Sequence, residues 1–86
     1  MLLLPNFPNP FNGSTTIGFV LPESCEVQLR VLNVDGQELW RVNKTCPAGN
    51  NSETLFLDRT VPSGVLYCEM VTPFGTLVRK MVLMQY

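Results

Sequence analysis

Eighty-six residues, 45% of them hydrophobic and only 15% charged, suit one small domain with a single core and leave no room for a deep substrate cavity beside it. Six basic and seven acidic side chains are scattered, with no like-charged run longer than Arg79-Lys80, for a net charge of −1, so no basic stripe exists to exchange counterions with a phosphate backbone, and nucleic acid is excluded as a partner. No apolar run exceeds four residues, against the roughly 20 that a membrane-spanning helix needs, so no transmembrane segment is expected.

Met1-Leu2-Leu3-Leu4-Pro5 lacks the basic flank of a signal peptide and is too short to be one. Met1 reads instead as the start of a domain cut from a longer chain. The lead-in continues with Pro5-Asn-Phe-Pro-Asn-Pro-Phe-Asn12, where Pro5, Pro8 and Pro10 exclude helix and favour extended or turn backbone. Phe7 and Phe11 are expected to plug one end of the core. A first strand is predicted over 15–21, with Ile17, Phe19 and Leu21 inward, and Pro22–Cys25 as the turn that follows.

Residues 26–33 alternate most cleanly, with Val27, Leu29 and Val31 inward against Glu26, Gln28 and Arg30 outward. Asp35-Gly36 supplies the positive-φ residue of a tight hairpin. The return strand, 37–43, has ambiguous parity around Leu39, Trp40 and Val42, which a bulge or a strand covered on both faces would reconcile. Composition makes 44–51 a loop. A strand over 53–58 carries Leu55 and Leu57 on one face, and 59–64 turns the chain. The strand over 65–72 buries Leu66, Cys68 and Met70, and Pro73-Phe-Gly75 leads into the last one. That closing stretch, 77–86, is apolar on both faces from Met81 to Met84, so it is either central in its sheet or awaiting a partner. Six or seven short strands, Gly/Pro turns and no amphipathic helix give an all-β fold, an antiparallel β-sandwich.

Little in the chain can carry catalysis. Histidine is absent, and with it the commonest general base and any Cys–His nucleophile. The acidic residues stand singly at turns or outward strand positions, so no catalytic residue, metal site or cofactor is implied and the chain is not read as an enzyme. Cys25, Cys46 and Cys68 have neither CxxC spacing nor histidines, which argues against structural zinc. In an up-and-down tracing Cys25 and Cys46 come to the same end of the sandwich, where a disulfide between them is conceivable and Cys68 is left as a small buried hydrophobe. Asn12-Gly-Ser14, Asn43-Lys-Thr45 and Asn50-Asn-Ser52 match the N-glycosylation pattern, a weak signal.

Four stretches in register carry a family resemblance: Asn6-Phe-Pro-Asn-Pro-Phe-Asn12 running into Thr15-Thr-Ile17, Val31-Leu-Asn-Val-Asp-Gly36, Pro62-Ser-Gly64, and Arg79-Lys-Met-Val-Leu83. From about Leu3 to Met84 the chain resembles the C-terminal sorting domain (type A) of the type IX secretion system of Bacteroidetes, with the Ig-like domain of the flagellar hook-capping protein as a related module. The chain departs from the family pattern in Gly13, where proline is frequent, in Leu66 or Cys68, where an aromatic is frequent, and in carrying cysteines at all. The resemblance implies an Ig-like or fibronectin-III-like sandwich spanning 1–86, with 1–14 as a Pro/Asn-rich lead-in, excised from a longer secreted protein. It implies a targeting role: an address on an exported cargo domain upstream, read by the outer-membrane translocon and commonly removed by a sortase-like cysteine peptidase. Localisation would be the periplasm in transit, then the outer-membrane surface or the exterior. Carried over by motif, recognition by the secretion machinery falls to Pro62, Ser63, Gly64, Arg79, Lys80, Met81, Val82 and Leu83. Pro8, Asn9, Pro10, Phe11, Asn12, Asp35 and Gly36 are the motif residues of structural weight. The alternative is a structural or adhesive Ig-like accessory module of an extracellular enzyme, binding carbohydrate through a platform of Trp40, Phe56 or Tyr67.

Overall fold

The computed structural model describes residues Met1–Gln85. Seven strands follow in order: β1 (Leu2–Leu3), β2 (Ser14–Leu21), β3 (Cys25–Leu32), β4 (Glu38–Cys46), β5 (Gly49–Phe56), β6 (Gly64–Thr72) and β7 (Gly75–Leu83). They form two antiparallel sheets, β1-β2-β5 and β4-β3-β6-β7, packed as an Ig-like β-sandwich. No helix occurs among the described residues. The core lies between the sheets and is built from the inward positions expected of the alternating strands. Ile17, Phe19 and Leu21 of β2 face Val27, Leu29 and Val31 of β3, with Leu55, Leu66, Met70, Met81 and Leu83 completing it. Cys68 is buried among them as a small hydrophobe, and that burial pushes its thiol up to about 12.

Parity in β4 is reconciled by a bulge. Val31 pairs with Trp40 and Leu32 with Glu38, which leaves Leu39 as the extra residue and lets it pack against the core together with Trp40 and Val42 despite the odd step. Gly36 stands at φ 81°, and its N–H donates to the Asn33 carbonyl at 3.0 Å, closing the β3–β4 hairpin.

Two expectations are corrected here. Residues 44–51 are not a loop: β4 runs to Cys46, and β5 begins at Gly49 after only Pro47 and Ala48. Gly49, at φ 92°, turns the chain from one sheet to the other. Asn50, Asn51 and Ser52 are strand residues because they lie on an edge, paired through Val20, Phe19 and Gly18 of β2, where polar side chains reach water. Asn51 also donates its side-chain amide to the Pro47 carbonyl at 2.9 Å, bracing that turn. Phe7, for its part, does not plug the core. It bridges Thr16 by its backbone and leaves its ring 81% exposed, while Phe11 alone enters the interior at 2%.

The two long sides of the sandwich are each closed by a cation on an inward-facing edge position. On one side Lys44 of β4 pairs with Glu53 of β5, a hydrogen-bonded contact that pushes the Lys44 ammonium up. On the other, Arg79 of β7 donates Nε to the Leu3 carbonyl of β1 at 2.7 Å.

Candidate functional site

The closing strand β7 is an edge strand, the last of the sheet β4-β3-β6-β7. Its odd residues face the core: Met81 and Leu83 are fully buried and Leu77 half-buried. Its even residues face out, with Val78 55% exposed, Lys80 exposed and Val82 half-buried. The apolar run therefore belongs to a strand that is neither central nor covered on its second face.

The free edge of β7 is itself divided. Phe11 donates its N–H to the Val82 carbonyl at 3.0 Å, and Met84 donates to the Phe11 carbonyl at 2.9 Å. The Val82 N–H donates to Asn9 Oδ1 at 2.9 Å. These bonds show that the peptide groups of the even residues point away from β6. The unbroken β6–β7 register carries that alternation back to Lys80, Val78 and Thr76. There no strand of the described residues accepts or supplies a hydrogen bond. The distal half of the edge is tied down by the lead-in; the proximal half is open.

The end of β7 is fixed from the other side by the turn after β5. Ser63 Oγ accepts the Gln85 N–H at 2.8 Å, and Gln85 Nε2 donates to the carbonyls of Val61 at 2.8 Å and Asp58 at 2.9 Å. Gly64 begins β6 as the register partner of Leu83. Within the lead-in, the Pro8 carbonyl accepts from Thr15 Oγ1 at 2.8 Å and from Asn6 Nδ2 at 3.2 Å, and Asn6 Nδ2 also reaches Thr15 Oγ1 at 3.0 Å. Asn6 is thus a buried polar anchor for the prolines that follow. Pro10 and Asn12 are exposed beside it.

Across from the Pro62–Gly64 turn stands the β3–β4 hairpin, where Asn33 Oδ1 accepts the N–H groups of Asp35 and Gln37 at 3.0 and 2.9 Å. A groove of about 440 Å³ separates the two, lined by Val34, Leu39, Val61, Pro62, Val65 and Leu66 among others. Four stretches far apart in sequence are therefore gathered at one pole of the sandwich, the pole where β7 ends. Arg79 and Lys80 lie nearer the middle of β7, and they differ: Arg79 turns toward the β1 seam, whereas Lys80 stands on the outer face opposite Tyr67.

Charge divides that outer face. Arg30 is bound to Glu69 and lies 3.7 Å from Glu38, which also pairs with Arg41 at 2.8 Å. The Glu69 hydrogen bond chiefly pushes the Arg30 guanidinium up, despite the opposing cost of desolvation. Both arginines of the β3–β4 half are thus neutralised, with the help of Glu69 from β6. The β6–β7 half presents Val65, Tyr67, Val78 and Val82 around Lys80, which makes no ion pair among the described residues. The aromatic platform is not formed. Trp40 is on the inner side of β4, Phe56 on the outer face of the other sheet, and Tyr67 on the outer face of this one.

Gln85, and the buried anchoring role of Asn6 within its motif, escape a reading of the sequence. A lone amide has no periodicity to betray it, and only closure of the fold brings Gln85 to Ser63. Asp58 adds a testable property. The Thr60 N–H donates to its carboxylate at 2.9 Å and holds Asp58 below the usual 3.8. A depressed carboxylate stabilises the fold above its unfolded value and loses that contribution as pH falls through the lowered one. The amide resonances of Thr60 and Gln85 should accordingly titrate together below pH 3.8, and Asp58→Asn should remove the titration. Two amides that move independently would uncouple this turn from the end of β7.

Comparison with known proteins is consistent with this geometry. Searches of the curated proteins and of the solved structures find no match. The family model described as the secretion system C-terminal sorting domain matches residues 6–84, from the Asn6 anchor to the end of β7. A match over nearly the whole chain, spanning all four stretches gathered at this pole, establishes that the chain belongs to the C-terminal sorting domains of the type IX secretion system, signals that direct export to the cell surface or the extracellular space.

Proposed function

We propose that the domain is read through the open half of the β7 edge, by strand addition from a component of the outer-membrane translocon. The observation that carries this reading is the unpaired backbone of Thr76, Val78 and Lys80, set beside an apolar outer face with one unneutralised cation. An incoming strand would gain main-chain hydrogen bonds from those peptide groups, and Val78, Lys80 and Val82 would select it by side chain. Pro62, Ser63 and Gly64 act through Gln85 by holding the strand end. Met81 and Leu83 hold it from the core, and Arg79 holds it through β1. In this reading an upstream cargo domain crosses the periplasm with the sorting domain attached, and a sortase-like cysteine peptidase separates the two at the surface. Kinship with the Ig-like domain of the flagellar hook-capping protein belongs to the same reading and is supported by the two-sheet antiparallel architecture.

Deleting Lys80–Tyr86 would remove Met81 and Leu83 from the core, so lost export would not distinguish an unread address from an unfolded one. Proline at an outward-pointing edge position does distinguish them. It removes an N–H that no intramolecular strand uses, and it obstructs an added strand. Lys80→Pro and Val78→Pro, fused behind a signal peptide and a reporter in a type IX-competent bacterium, should keep a cooperative melt and lose surface delivery at least about tenfold. Folded variants exported as well as the parent would refute reading by the edge.

A further inference from the structure

The geometry points to a cross-strand disulfide between Cys25 and Cys46, a covalent staple at the pole opposite the end of β7. The two residues are direct register partners, the first residue of β3 and the last of β4. Directly opposed residues of an antiparallel pair have Cα atoms about 4.5–5.5 Å apart, inside the 4.4–6.8 Å that a disulfide spans. Opposed residues also share a face, and both of these pack against the core, Cys46 buried and Cys25 half-exposed. The pair closes the ladder beside two short connections, Pro22–Ser24 and Pro47–Ala48, whose backbone can adjust to the bond. Cys68 does not compete: it pairs with Val31 and Arg79 deep in the other half of the sheet. All three cysteines carry free thiols in this structure.

Formation needs a disulfide oxidant, small-molecule or protein. The accessible Cys25 sulfur attacks one sulfur of the oxidant and expels the other as a thiol, leaving a mixed disulfide on Cys25. Cys46, whose thiol burial pushes up, is the slower nucleophile and attacks second, displacing the oxidant's remaining thiol. Two electrons and two protons pass from the cysteine pair to the oxidant, which is reduced to two thiols. The product encloses the β3–β4 hairpin and pins the end of an edge strand, at the pole away from the Pro62–Gly64 turn.

The full chain should be equilibrated in a mixture of oxidised and reduced glutathione, unfolded, alkylated with iodoacetamide and weighed intact. The expected product carries one carbamidomethyl group, on Cys68, where the reduced chain carries three, and digestion yields one linked peptide pair holding Cys25 and Cys46. Oxidation should raise the melting temperature by on the order of 10 °C, and the rise should vanish in Cys25→Ser while persisting in Cys68→Ala. Three alkylated thiols after equilibration, a link through Cys68, or oxidation only to intermolecular dimers would each overturn the assignment.

Discussion

Replacing Phe11 by alanine should cost about 3–5 kcal/mol, as for other buried aromatic truncations. A domain of this size has a total of only about 4–13 kcal/mol to lose, so its melting temperature should fall by roughly 15–30 °C. The ring is 2% exposed and belongs to the same buried cluster as Leu83. Alanine keeps the N–H and C=O that pair with Val82 and Met84, so the loss measures the ring and not the backbone tie. Phe11→Leu should recover a large part of it. Calorimetry gives the answer directly, and a loss under about 5 °C would mean that the core closes without the lead-in.

Met81→Asp and Val82→Asp should behave oppositely although they are neighbours. Met81 is fully buried, and an unpaired carboxylate there costs several kcal/mol, enough to prevent folding. Val82 is half-buried on the outer face, where the carboxylate keeps much of its water, and the expected loss is about 1 kcal/mol or less. The pair read by circular dichroism melts therefore reports which face of β7 is covered. Equal losses would mean that the outer face is covered too. If Val82→Asp folds normally yet fails in export, the outer face itself contributes to recognition.

Much of the fold is legible in the alternation of single strands. Val27, Leu29 and Val31 could face only inward, and Ile17, Phe19 and Leu21 likewise, because a slip of one residue would bury glutamate or threonine instead. What alternation does not encode is neighbourhood. Met81 to Met84 is equally apolar on both faces whether the strand is central or at an edge, and only the sheet order decides. The same ignorance of neighbours hid β5, since Asn50, Asn51 and Ser52 look like a loop until an edge is there to receive them. Phe7 misleads for a related reason: a large ring suggests burial, but Phe7 bridges Thr16 with its ring in solvent, whereas Phe11 bridges Leu83 and is buried. The four motif stretches of the candidate site can be picked out in the chain. Their convergence cannot, because it depends on hydrogen bonds between residues as distant as Asn9 and Val82.

That bond, spanning 73 positions, has a consequence for what kind of signal this is. A peptide copying the last ten residues would contain every side chain of β7 from Leu77 onward and none of its posture, since the half that is tied and the half that is open are set by Asn9, Phe11, Ser63 and the opposing sheet. If the edge is what the translocon reads, the address would become legible only once Asn9 and Phe11 have docked on Val82. Export gated on such an edge would inspect its cargo's tail for completed folding at the moment it reads the destination, and a truncated or half-folded tail would fail inspection without any separate proofreading device.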